Sequence, residues 1–181
     1  MSVIPWMGKI ELNQAMDMQT IFDNWKLNAK RQDDRNFAFL RSLKMQSERT
    51  VDQAAQQLHE EAFSIIDCTQ CANCCKTVSP QFIKEHIRRI AKHLGMKTSE
   101  FKKTYLQADE DGNLFLKNLP SPFLDKKNRC TIYEIRPRDC AEYPHTQKKG
   151  FTTRTHLHAE NALSCPAVFY IIEQLRARRL R

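Results

Sequence analysis

Four thiols fall within eight residues, Cys68-Thr-Gln-Cys71-Ala-Asn-Cys74-Cys75, and three more follow at Cys130, Cys140 and Cys165. No other feature of the chain constrains its fold so strongly. A C-x2-C step turns two sulfurs to one side of a tight turn, and here the step occurs twice in succession. Isolated cysteines are commonly small buried hydrophobes, but burial alone does not gather thiols at this density. The total of seven is odd, and Met1–Gly8 lacks the basic and apolar pattern of a secretory leader. Both point away from a disulfide framework and toward metal or redox chemistry in a cytoplasmic protein.

The flanking chain reads as helical support, and the expected fold class is mainly α. It is an irregular helical fold organised around the cysteine cluster, with at most a small β-hairpin. Residues 1–60 form an N-terminal helical extension and 61–181 the cysteine-cluster domain. Met18, Phe22, Trp25 and Ala29 recur at helical spacing within 13–60, and Gln32-Asp33-Asp34 separates them from Phe37, Phe39, Leu40 and Leu43. Thr50 with Gln53 has the form of a capping box, opening a helix that runs through Val51, Ala54, Leu58 and Ala62 to the cluster. Beyond the cluster, Ser79-Pro80 signals a helix start. Ile83, Ile87, Ile90 and Leu94 give that helix an apolar face and Gly95 a C-cap. His86 and His93 on it read as surface residues. Thr98 opens a short helix with Phe101 and Tyr105, and Asp111-Gly112 marks a turn. The segments at Leu114–Leu116, Phe123–Leu124 and Thr131–Tyr133 read as short strands or extended loop. Residues 140–164 read as polar and irregular, and Ser164-Cys165-Pro166 opens a last helix with Val168, Ile171, Ile172 and Leu175.

Cys68, Cys71 and Cys74 reproduce the three-thiol run of bacterial iron–sulfur proteins, and Cys165-Pro166 has the form of the distal fourth ligand. This favours iron, as a cluster or an ion. Zinc, four-coordinate with thiolates, is the competitor. Seven thiols exceed one mononuclear site. Cys75 follows Cys74 directly, and adjacent side chains on an extended backbone point apart. Two metals, or one metal with redox-active thiols, are both open, and His145 or His158 is a candidate extra ligand.

The combination of Cys68-x2-Cys71-x2-Cys74-Cys75, Pro122-Phe123-Leu124, Cys130-Thr-Ile-Tyr133-Glu-Ile-Arg136-Pro137-Arg-Asp-Cys140-Ala-Glu-Tyr143-Pro144 and Cys165-Pro166 resembles the CxxCxxCC family. Members are zinc- or iron-chelating domains, the YkgJ-like cysteine-cluster proteins. The resemblance implies that all seven cysteines, Cys68, Cys71, Cys74, Cys75, Cys130, Cys140 and Cys165, are metal ligands. The family pattern carries an eighth cysteine where this chain has Ser121, so one position is left without its thiol. Within the motif, Pro137 disfavours helix at Arg136. Its guanidinium is then free to donate to a thiolate or a carbonyl, or to pair with Glu134 or Asp139. Tyr133 and Tyr143 are expected to pack against the site and exclude water.

The net charge of +8 lies wholly in residues 61–181, which hold 21 basic and 13 acidic side chains. Cations near a thiolate metal site balance its negative charge. A nucleic-acid face is the lesser reading, since no aromatic-interleaved module accompanies the charge. With four glycines and no GxGxxG or Walker loop, nucleotide binding by the usual routes is excluded. No apolar run is long enough to insert in a membrane. The leading expectation is a metal-binding protein with a structural, electron-transfer or redox-sensing role, and an unidentified protein partner on the N-terminal helices. An enzyme with an open coordination position near Ser121 and a metal-stabilised nucleic-acid binder are the alternatives.

Overall fold

A computed structural model describes residues 17–178. The expected helical residues before 17, the leader reading at Met1–Gly8, and Arg179 and Arg181 lie outside these. Helices dominate, with one two-stranded antiparallel sheet.

Two apolar cores organise the chain. The first is built by both ends of the sequence. Helices α1 (Met18–Asn28), α2 (Asp33–Ser42) and α3 (Glu48–Ile65) pack on α9 (Thr155–Ser164) and α10 (Pro166–Arg178). Leu40, Val51, Ala55 and Leu58 meet Phe169, Ile171, Ile172 and Leu175, all fully buried. Each such aliphatic side chain contributes about 1.5–3 kcal/mol on leaving water. Polar ties hold the ends in register: Trp25 Nε1 donates to the Ala162 carbonyl at 2.8 Å. The Asp52 carboxylate accepts the Gly150 and Phe151 N–H groups, each at 2.8 Å. Arg176 bonds Asn36 at 2.9 Å and pairs with Glu173, and Arg178 pairs with Glu61 at 3.1 Å. These two cations of the basic tail are therefore engaged within the fold.

The second core lies between residues 82 and 132. It joins α6 (Lys84–His93), α7 (Thr98–Tyr105), β1 (Leu106–Ala108) and β2 (Leu114–Leu116) through Phe82, Ile87, Ile90, Phe101, Leu116 and Phe123. The strands pair Leu106 with Leu116 and Ala108 with Leu114. The connecting turn contains Gly112 at φ 80, as the Asp-Gly pair leads one to expect. Gly95, φ 67, ends α6, with the Met96 N–H on the Ala91 carbonyl at 2.9 Å.

Several expectations are corrected. Helix α3 begins at Glu48, not Thr50: Ser47 is its N-cap and accepts the Thr50 N–H at 3.4 Å. Ser caps as readily as Thr, and Glu48 in the first turn suits the helix dipole. Ser79-Pro80 opens no helix. The Ser79 hydroxyl accepts the Leu116 N–H at 2.8 Å and the Phe82 N–H reaches the Leu114 carbonyl at 2.7 Å. Pairing with β2 thus overrides the local helix signal, and Ile83 is 48% exposed at the N-cap of α6 instead of buried. The stretch 140–164 is not irregular: it contains most of α8 (Arg138–Glu142), a 3-10 turn Phe151–Arg154, and α9. The buried positions of α9 are Thr155, His158, Ala159, Asn161 and Ala162, too small or polar to announce a helix face. Phe123–Leu124 and Thr131–Tyr133 are extended loop, the other form that the sequence allows, tied by the Thr131 N–H on the Phe123 carbonyl at 2.8 Å and by the adjoining Leu124–Cys130 bridge. His86 is buried, its Nε2 accepting the Arg138 N–H at 3.3 Å. None of the described helices is long and apolar enough to cross a membrane.

Candidate metal centre

The thiol cluster lies at the joint between the two cores. Helix α3 ends at Ile65, and the Asp67 carboxylate caps the next turn by accepting the Thr69 N–H at 2.8 Å. That turn is α4 (Cys68–Cys71). Ala72 stops it with φ 48, a left-handed conformation that costs a non-glycine residue about 1 kcal/mol or more. The alanine Cβ is buried there. A fresh turn, α5 (Asn73–Thr77), carries Cys74 and Cys75. On a helix adjacent side chains diverge by about 100°. Cys74 and Cys75 are therefore neighbours on a helical turn, not on an extended strand, and their thiols lie within hydrogen-bond reach of each other.

Four of the seven thiols share a cavity, and the other three lie outside its lining. Cys68, Cys71, Cys74 and Cys165 line one partly open cavity, walled also by Phe63, Ile66, Tyr143 and Pro144. Cys165 is brought there by Asn73, whose side-chain amide donates to the Ser164 carbonyl at 2.7 Å across 91 residues. Tyr143 and Ser164 hydroxyls meet at 3.0 Å on the same wall. Outside the lining, Cys75 acts electrostatically on Cys130 and Cys140 and likewise on Cys68, Cys71 and Cys74, so it links the cavity to the other two thiols. The Arg136 guanidinium acts on Cys75, Cys130 and Cys140. Helix α8 presents Cys140, the Leu124 bridge places Cys130, and the Ser121 N–H holds the Cys75 carbonyl at 2.8 Å.

All seven cysteines are free thiols. Cys68 is exposed as a residue, yet it lines the cavity, and burial there followed by Cys71 and Asp67 pushes its thiol up to about 11. Burial likewise raises Cys165 and Cys140 to about 12. Cys74 and Cys75 share a hydrogen bond that keeps the proton on Cys74, and Lys76 and Arg136 further favour charge on Cys75. Among the described residues no three His, Cys, Asp or Glu side chains already converge as an ion cage. Closure around an ion then takes side-chain rotation and loss of thiol protons, which coordination itself drives. In kind and number the donors suit zinc or iron.

Arg136 donates to the Tyr133 carbonyl and lies over the Tyr133 ring at 3.8 Å, and among the described residues it pairs with neither Glu134 nor Asp139. Tyr133 is 44% exposed and does not seal the site, whereas Tyr143 does line the cavity. Asn73 and Lys76 escaped sequence reasoning, although both lie inside the cysteine run, where a polar side chain has to serve the cluster or its connections.

His145 and His158 join neither group. His158 is fully buried and stacked on Phe151 at 4.0 Å. Burial, then Arg154 and His145, lower its pKa to about 3. Its unfolded counterpart titrates near 6.5. Between those values the unfolded chain takes up a proton that the fold refuses. The stability is therefore fully present above 6.5 and falls as pH drops toward 3, by up to about 1.4 kcal/mol per unit. Replacing His158→Leu is expected to flatten the acid limb of a urea-stability profile measured on metal-free protein. An unchanged slope means that another group controls acid unfolding.

A family model described as "Putative zinc- or iron-chelating domain", CxxCxxCC, matches residues 67–159. The match starts at the cap of α4 and ends within α9, so Cys165 lies beyond it and enters the site through the fold. No curated protein and no solved structure matches the chain.

Proposed function

The chain belongs to the CxxCxxCC family, and on that footing we propose that it binds zinc or iron through its cysteines, with Cys68, Cys71, Cys74 and Cys165 as the ligands of one ion. The observation that carries this is the shared cavity. Cys165, at the threshold of α10, lines the same small space as three thiols of the cluster. The space has room for a water-sized guest among the four sulfurs. A single ion held by four thiolates is the simplest occupant of such a space. A closed shell of four thiolates is the arrangement of structural metal sites. Here it fastens the start of the most buried helix to the joint between the cores. Structure, more than electron transfer, is the role this supports.

Anaerobic purification followed by metal and acid-labile sulfide analysis tests the reading. Tightly held zinc or iron without labile sulfide is expected. A brown protein with sulfide matching its iron would replace the single ion by a cluster, and a protein that binds neither metal would end the proposal.

A further inference from the structure

Residues 84–103 hold seven Lys/Arg against two carboxylates, a surplus of five in a chain whose net charge is +8. The surplus sits on the second core, and α6 carries four of the seven cations. Lys84, Arg88 and Lys92 recur every fourth residue and are all exposed, so they form one stripe that rises about 6 Å per step. Among the described residues no ion pair engages them. Arg176 and Arg178, by contrast, are tied down by Glu173 and Glu61. Glu85 is the one carboxylate of α6, and Arg89 holds it at 3.4 Å. A shallow concavity lies between Lys84, Glu85 and Arg88.

Arg89 follows Arg88 about 100° around the helix and joins the stripe to a second feature. Its guanidinium donates to the Ile135 and Arg136 carbonyls at 3.2 and 2.9 Å. One turn earlier, the His86 ring accepts the Arg138 N–H at 3.3 Å, so residues 135–138 run antiparallel along α6. This segment carries the Arg136 guanidinium over the Tyr133 ring at 3.8 Å, and Tyr133 is 44% exposed. The fold thereby adds to the cationic stripe an aromatic platform that the stripe's own helix lacks.

We propose that this face binds single-stranded nucleic acid, with Lys84, Arg88 and Lys92 following the phosphates and the Tyr133–Arg136 pair stacking a base. An acidic peptide or an anionic lipid surface uses the charge alone. The exposed ring with a guanidinium laid on it is matched by the π-face of a base. A duplex keeps its bases stacked inside and offers that platform nothing. Glu134, exposed beside the ring, repels a phosphate there and leaves the phosphates to the helix.

Fluorescence anisotropy of the full chain with a fluorescein-labelled twelve-nucleotide oligouridylate, across a salt series, tests this. The logarithm of affinity should fall against the logarithm of salt with a slope of about −2 to −3, and each lost phosphate contact removes about 0.7. Lys84→Gln/Arg88→Gln/Lys92→Gln should flatten the slope by about 2. The matched variant Lys26→Gln/Lys30→Gln/Arg31→Gln, which removes three exposed cations from the first core, should leave it unchanged. Tyr133→Leu should weaken binding by roughly fivefold or more at unchanged slope, and Tyr133→Phe should bind as wild type. Absence of binding, equal losses in the two triple variants, or an affinity indifferent to Tyr133→Leu overturns the proposal. Equal competition by polyglutamate or by phosphatidylserine vesicles also overturns it, since charge alone would then account for the face.

Discussion

Removing the metal with a strong chelator under reducing conditions is expected to lower the thermal midpoint by on the order of 10 °C. A ligand that binds only the folded chain stabilises it by about 4 kcal/mol when present at a thousand times its dissociation constant. For a chain of this size each kcal/mol shifts the midpoint by about 2–4 °C. The structure explains why the loss should be global. Residues Pro166 to Ile172 form an unbroken buried run at the centre of the first core, and Cys165 is the residue that leads into it. Without the ion, the junction of α10 with α4 and α5 depends on the Asn73–Ser164 hydrogen bond and the surrounding apolar packing. Scanning calorimetry with and without chelator measures the effect. An unchanged midpoint would mean that the ion does not hold the fold together.

Phe101→Ala is expected to destabilise the second core by about 3–5 kcal/mol, the range for truncating a fully buried aromatic ring. Phe101 has no exposure and meets Phe82, Tyr105 and Phe123, stacking parallel to Phe123 with ring centres 6.1 Å apart. Phe123 is two residues from Ser121, and its carbonyl accepts the Thr131 N–H beside Cys130. The void left by the ring therefore loosens Cys75, Cys130 and Cys140 before the buried Cys165. Urea unfolding gives the stability loss. Thiol labelling below the unfolding transition should accelerate at Cys75, Cys130 and Cys140 and leave Cys165 protected. Uniform acceleration at all seven would show that the two cores unfold as one unit.

The sequence carried the density of the cluster, the helices on either side of it and the apolar last helix, because each rests on local spacing. It did not disclose how the cysteines divide. That division depends on the left-handed Ala72, which separates two short turns, and on Asn73 reaching Ser164. Neither contact has a local signature. The misplaced helix starts have one cause in common: Thr50 and Ser79 are sound capping residues, but Ser47 and the edge of β2 claim the backbone first. Likewise α9 hides in the sequence because it packs through alanines, Asn161 and His158 instead of large aliphatic side chains. The Ser121 position was legible only through the resemblance. Its place beside Cys75 gives it a physical meaning that the resemblance alone does not.

The most direct test of the four-thiol site is the metal content of Cys165→Ser beside wild type, each loaded to saturation and dialysed against the same chelator. Loss of one equivalent per chain is the expected result, because in the proposed site Cys165 completes the shell that Cys68, Cys71 and Cys74 begin. Retention of the full wild-type content would contradict it.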